Sequence, residues 1–84
     1  MSDIEAMAAE VDAHRIARPT EIELAVLHYI SLGHTYRTTA RELDMSLDTA
    51  KRHAHNAIRK LAATNSTHAV TIAIGRGLIP GANA

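Results

Sequence analysis

Met45-Ser46-Leu47-Asp48-Thr49-Ala50-Lys51-Arg52-His53-Ala54-His55-Asn56-Ala57-Ile58-Arg59-Lys60-Leu61 decides how this chain is read. On a 3.6-residue period Ala50, Ala54, Ala57, Ile58 and Leu61 fall within one arc, the width of a helix side pressed against a core. Lys51, Arg52, His55 and Arg59 lie off that arc, and no acid follows Asp48 within the helix. Ser46 supplies the start, because its hydroxyl can accept a bond from the free amides of the first turn. Three alanines on the apolar side allow a neighbouring helix to come close. The basic side is either an ordinary solvated surface or one that meets an anionic partner, and this helix alone does not choose between them.

Working outward, the preceding segment supplies a second, shorter helix from about Tyr36 to Leu43, capped by Thr35. Tyr36, Ala40 and Leu43 share its inner side, while Arg37 and Arg41 point away. Asp44-Met45-Ser46 then makes a turn: aspartate tolerates the left-handed conformation better than most non-glycine residues, Met45 can drop inward, and Ser46 caps the next helix. A short helix, a three-residue turn and a longer basic helix are the parts of a helix-turn-helix.

Before that pair, Thr20 to about Leu32 reads as a helix. Thr20 and Glu23 have capping-box spacing, Ile22, Val26, Tyr29 and Ile30 form a stripe, and Gly33 can close the end. Arg18-Pro19 separates it from residues 2–17, where Ile4, Met7 and Val11 recur at helical spacing and Ser2 with Glu5 is a capping pair. After the basic helix, Ser66 to about Arg76 is apolar on nearly all sides, and Ala69, Val70, Ile72, Ala73 and Ile74 cannot all face one small core. Val70, Ala73 and Ile74 best suit the intramolecular side, which leaves Ala69 and Ile72 for a second subunit, unless the helix packs wholly within the monomer. Gly75 and Gly77 end it, and Leu78 and Ile79 can fold back before Pro80-Gly81. The expectation is an all-α fold: an acidic leader over residues 1–18, helical or not, followed by a four-helix domain over 19–84.

Composition bounds what such a chain can do. Its 84 residues give room for one small domain, burying roughly 60% of the unfolded surface, so a large enclosed active site is not expected. There is no cysteine for a disulfide framework or thiolate zinc site, and no apolar run approaches the ~18 residues of a membrane span. The acidic start Met1-Ser2-Asp3-Ile4-Glu5 lacks the features of an export signal, so the expected location is the cytoplasm, at the nucleoid, with no membrane partner. Nine basic residues balance nine acidic ones, but unevenly: Asp3, Glu5, Glu10 and Asp12 all precede Arg15, and the rest of the chain carries nine basic against five acidic residues. That asymmetry points to an anionic partner for the domain. The preference for arginine and alanine over lysine suggests a GC-rich bacterial or phage genome.

Two chemistries find little support. His53-x-His55 resembles half a metal site, but alternate residues of a helix point about 160° apart, and no cysteine or well-spaced carboxylate completes a tetrahedron. No nucleophile elbow, glycine-rich phosphate loop or identifiable carboxylate pair suggests an enzyme, and no cofactor is expected.

Gly33-His34-Thr35-Tyr36-Arg37-Thr38-Thr39-Ala40-Arg41-Glu42-Leu43, followed by Met45-Ser46 and Thr49-Ala50-Lys51-Arg52-His53, resembles the LuxR/GerE type of helix-turn-helix domain. The likeness runs without a gap from Thr20 to Ile79. Its most specific pieces are Thr49-x-Lys51-x-His53, Asn56-x-Ile58-Arg59-Lys60-Leu61, and Thr67-x-Ala69-Val70 leading to Arg76-Gly77-Leu78-Ile79. The first two are also similar to region 4 of bacterial sigma factors, which lacks the last helix.

The resemblance implies a transcription regulator, acting as a homodimer on double-stranded DNA, whose recognition helix, about 47–63, enters the major groove. A dimerisation helix, about 66–76, would join the subunits through Ala69, Ile72 and Ala73. Lys51, Arg52 and His55 stand where the family reads base edges or nearby phosphates, with Arg59 on the same side; lysine and arginine can donate to guanine. Thr35, Tyr36 and Arg37, at the start of the second helix, and Thr49 match phosphate contacts. Departures are Asp44 for the usual turn glycine, Ala50 and Ala54 for branched aliphatics, and Thr39 for an apolar residue. Residues 1–18 are too few for a sensing domain, so control is expected from abundance, the leader or a partner. The alternative is a protein-interaction module of the same fold that binds another regulator or RNA polymerase, as a sigma region 4-like domain would.

Overall fold

Four helices, each started and stopped by the same device, organise the computed structural model, which describes residues 18–81. They are α1 (Glu21–Ser31), α2 (Tyr36–Glu42), α3 (Leu47–Lys60) and α4 (Ser66–Gly75), and no strand occurs among the described residues. The fold is all-α, as expected; the proposed leader helix lies outside the described residues.

Thr20, Thr35, Ser46 and Asn65 are the N-caps, and each side-chain oxygen accepts the amide three residues on, from Glu23, Thr38, Thr49 and His68 respectively. Each bond satisfies an amide that the helix itself cannot use. At the other ends Gly33, Asp44, Ala62 and Gly77 all take positive φ, at 95°, 54°, 54° and 72°. The turn this produces lets two amides reach back: Ala63 N donates to Ile58 O at 2.9 Å and Ala62 N to Arg59 O at 3.0 Å. The same pair of bonds closes α1, α2 and α4. This is the Schellman ending, normally built on glycine because a Cβ penalises the left-handed region. Here two of the four are built without it. That shortens the basic helix: α3 ends at Lys60, not near residue 63, because Ala62 turns left-handed.

α3 runs through the middle, packed against the other three helices, and its apolar stripe is close to the expected one: Ala50, Ala54 and Ala57 have no accessible surface and Leu61 only 2%. Alanine on this side removes the bulk that would hold neighbours apart. Around it Leu27, Ala57, Leu61, Ala69, Ala73 and Ile79 form the principal cluster, with Leu24, Ile58, Val70, Ile72, Ile74 and Leu78 half-buried against it. Ile79 folds back as expected.

On α1 the buried face is rotated from the expected stripe. Ile22 stays 38% exposed, while Val26 and Leu27 are fully covered and Glu23, in the first turn, is buried with them. A carboxylate can be there only because it is paired. Lys60 Nζ bonds Glu23 Oε1 at 2.9 Å and Oε2 at 3.1 Å, and the Thr20 amide donates to the same Oε1 at 2.9 Å. Burial pushes the Glu23 carboxyl up, but the Thr20 amide and the Lys60 ammonium outweigh it and hold the group below its ordinary value. This ion pair fastens the start of α1 to the end of α3.

Candidate nucleic-acid interface

The helical period and the burial of α3 leave one broad face free. Lys51, Arg52, His55 and Arg59 are all exposed there, together with Asp48 near the N-terminus. Asn56 Oδ1 accepts from Arg59 Nη2 at 3.2 Å, which leans the guanidinium back along the helix surface. Lys60, the remaining cation of α3, is turned inward to Glu23 and does not join this face.

The start of α2 is ordered by hydroxyls. Thr35 Oγ1 accepts from the Thr38 amide at 3.1 Å and meets Thr38 Oγ1 at 3.2 Å, and His34 Nδ1 meets Thr38 Oγ1 at 3.2 Å. His34 also stands edge-on to Tyr29, with ring centroids 5.1 Å apart. Arg37 is exposed beyond the cap, while Tyr36 is half-buried and lines an open groove with Ile30, His34, Thr35 and Ser66. Thr49 is half-buried and its hydroxyl receives the Ser46 hydroxyl at 2.8 Å. The two helices of the hairpin pack together, and Asp44 at φ 54° makes the turn between them in the conformation anticipated for it.

Arg37, Arg41, Lys51, Arg52 and Arg59 therefore form an outward cationic set on a helix-turn-helix, against Asp44, Asp48 and Glu42, also exposed. Over this frame the comparisons with known proteins decide the lineage: residues 20–73 match GerE, the bacterial regulatory proteins of the luxR family.

The chain belongs to the LuxR family.

That is a family of regulatory proteins, not of enzymes. The LuxR-family chain is 41% identical over 63 residues to transcriptional activator protein CarR of Pectobacterium carotovorum subsp. carotovorum, covering 75% of this chain and 26% of that protein. It is 35% identical over 57 residues to transcriptional activator protein ExpR of Dickeya dadantii, covering 68% and 23%. It is also 36% identical over 74 residues to transcriptional repressor ThaA of Burkholderia thailandensis, covering 88% and 31%. The chain thus spans about a quarter to a third of the length of these curated relatives. No helix among the described residues is long and apolar enough to cross a membrane.

The dimer-contact residues require a correction. Ala69 and Ala73 have no accessible surface and belong to the domain's own core; only Ile72 of the expected three is even half-exposed, and it too packs on that core. Val70 and Ile74 are half-buried against the core in the same way; with the exposed Thr67 and Thr71 they make up one side of α4.

Two features of the site were not anticipated from the sequence. The Glu23–Lys60 pair joins residues 37 apart and has no local signature. The Asn56–Arg59 bond has one, the i, i+3 spacing of a polar pair on one helix.

Proposed function

We propose that this LuxR-family domain is a DNA-binding transcription regulator that acts as a homodimer, with α3 in the major groove of double-stranded DNA. The observation that carries the reading is the split of α3: three alanines fully buried on one side, Lys51, Arg52, His55 and Arg59 exposed on the other. Lysine and arginine can donate to guanine edges or to phosphates, and His55 can donate or accept at a base edge. Thr35, Tyr36 and Arg37 at the start of α2, with Thr49, position the domain on the phosphate backbone. Arg59, drawn back by Asn56, is suited to a phosphate at the groove edge. Asp48 on the same face would repel phosphate and can accept from a cytosine amino group, so it contributes to site choice.

The second subunit docks on the Thr67, Val70, Thr71 and Ile74 row of α4. Two recognition helices related by a two-fold axis then read half-sites about one helical turn apart, roughly 34 Å. The protein works in the bacterial cytoplasm, where its DNA is.

Selection of bound sequences from random duplexes, followed by titration of the selected site over a range of salt, tests this. Affinity should fall steeply with salt, and Lys51→Ala/Arg52→Ala should abolish site preference while leaving the fold intact. Thr71→Glu should leave a folded monomer with weakened binding to the two-half-site duplex. Capture of RNA polymerase or another regulator, with no salt-dependent DNA affinity, would replace this reading with that of an interaction module.

A further inference from the structure

We infer that the acidic residues preceding α1 dock on the exposed basic face of α3 and compete there with DNA, so that the chain carries its own anionic competitor; this rests on the DNA-binding reading above. Residues 1–18 hold four acids, Asp3, Glu5, Glu10 and Asp12, against Arg15 and Arg18. The face they meet carries Lys51, Arg52 and Arg59 with no acid but Asp48; on the neighbouring α2 and turn, Arg37 and Arg41 are exposed, as are Glu42 and Asp44.

The point of attachment adds a short tether to the opposite charge. Lys60 Nζ and the Thr20 amide each bond Glu23 Oε1 at 2.9 Å, so the segment joins the domain where the Lys60 side chain reaches α1, to one side of the exposed face and near the end of α3. From Lys60 back to Arg52 along α3 is about 12 Å. The eight residues from Asp12 to Thr20 can span up to ~26 Å, and the earlier acids reach further. Every acid of the segment can therefore touch the face, and tethering raises its local concentration to the millimolar range. Each exposed pair is weak and screened, so the docked state is one that DNA, with its denser charge, can displace. The segment thereby weakens non-specific attachment more than attachment to a cognate site, which adds base contacts.

The chain has no cysteine, so Ser2→Cys accepts a single nitroxide label. In the DNA-free full chain at low salt, amide signals of residues 51, 52, 55 and 59 should be selectively broadened by the label relative to Thr71 on α4, and the broadening should vanish at ~0.5 M NaCl. The leader variant Asp3→Asn/Glu5→Gln/Glu10→Gln/Asp12→Asn should show no such broadening and should bind a random duplex about three- to tenfold more tightly at ~0.1 M salt, the gap closing as salt rises. Broadening spread evenly over the domain, or absent, overturns the proposal even if DNA binds. Selective broadening in a protein that binds no DNA upholds the docking and overturns the DNA reading instead. Tighter binding by the leader variant without selective broadening in the parent marks a general charge effect and also overturns it.

Discussion

Replacing Ala62 with glycine should stabilise this protein, although the same change elsewhere in its helices should harm it. Ala62 holds φ at 54° to close α3, and an L-residue with a Cβ there is disfavoured by about 1–2 kcal/mol relative to right-handed backbone. Glycine escapes that strain but gives up about 0.5–1 kcal/mol more backbone freedom on folding. The residue is exposed, so no packing is lost with its methyl. The balance is a gain of about 0.5–1 kcal/mol, or roughly 2–8 °C in the midpoint of thermal unfolding for a domain of this size. Ala57→Gly is the control. It lies inside α3 with no accessible surface, so it loses about 1 kcal/mol in helix propensity and close to another in buried methyl contact. Thermal unfolding followed by far-ultraviolet circular dichroism compares the two variants with the parent. If Ala62→Gly lowers the midpoint as Ala57→Gly does, residue 62 does not end the helix in a left-handed turn and the account of the four helix ends fails.

Thr39 is fully buried with its Oγ1 unpartnered, so Thr39→Val, nearly the same shape, should gain about 1 kcal/mol and raise the midpoint; a loss would show that the hydroxyl is bonded in solution. Glu23 has its carboxyl pKa held low in the folded state, so its contribution is fully present above the unfolded value of about 4.3 and disappears as pH falls through the folded value. The stability difference between the parent and Glu23→Gln, measured by urea unfolding, should accordingly be full at neutral pH and shrink below about pH 4.3; a difference that does not change with pH would remove the ion pair from the argument. Lys60→Met should cost about 1–3 kcal/mol at neutral pH, because it leaves a buried carboxylate with the capping bond alone, and less in acid, where protonation relieves the unpaired charge.

Most of the fold was written locally. Four capping side chains, the helical period of the apolar residues and the turn residues Gly33, Asp44 and Gly77 act over three or four positions, so the order of the helices and nearly all their limits follow from neighbouring residues alone. The same period separates Lys51, Arg52, His55 and Arg59 from the alanine side of α3, and family membership follows from residues 20–73, which run from the cap of α1 into α4. Packing between helices decided the rest, since it depends on residues distant in the chain. Ala62 carries no mark of a left-handed turn, because alanine is the best helix former and only the reach of Ala63 back to Ile58 betrays the ending. Nothing near Glu23 shows that Lys60 will meet it, or that it and not Ile22 will be on the buried face. α4, apolar almost all round, offers no local way to tell inner from outer residues. Contact with α1 and α3 places Ala69 and Ala73 in the core and leaves the threonine row outside, because small side chains are what let those helices approach.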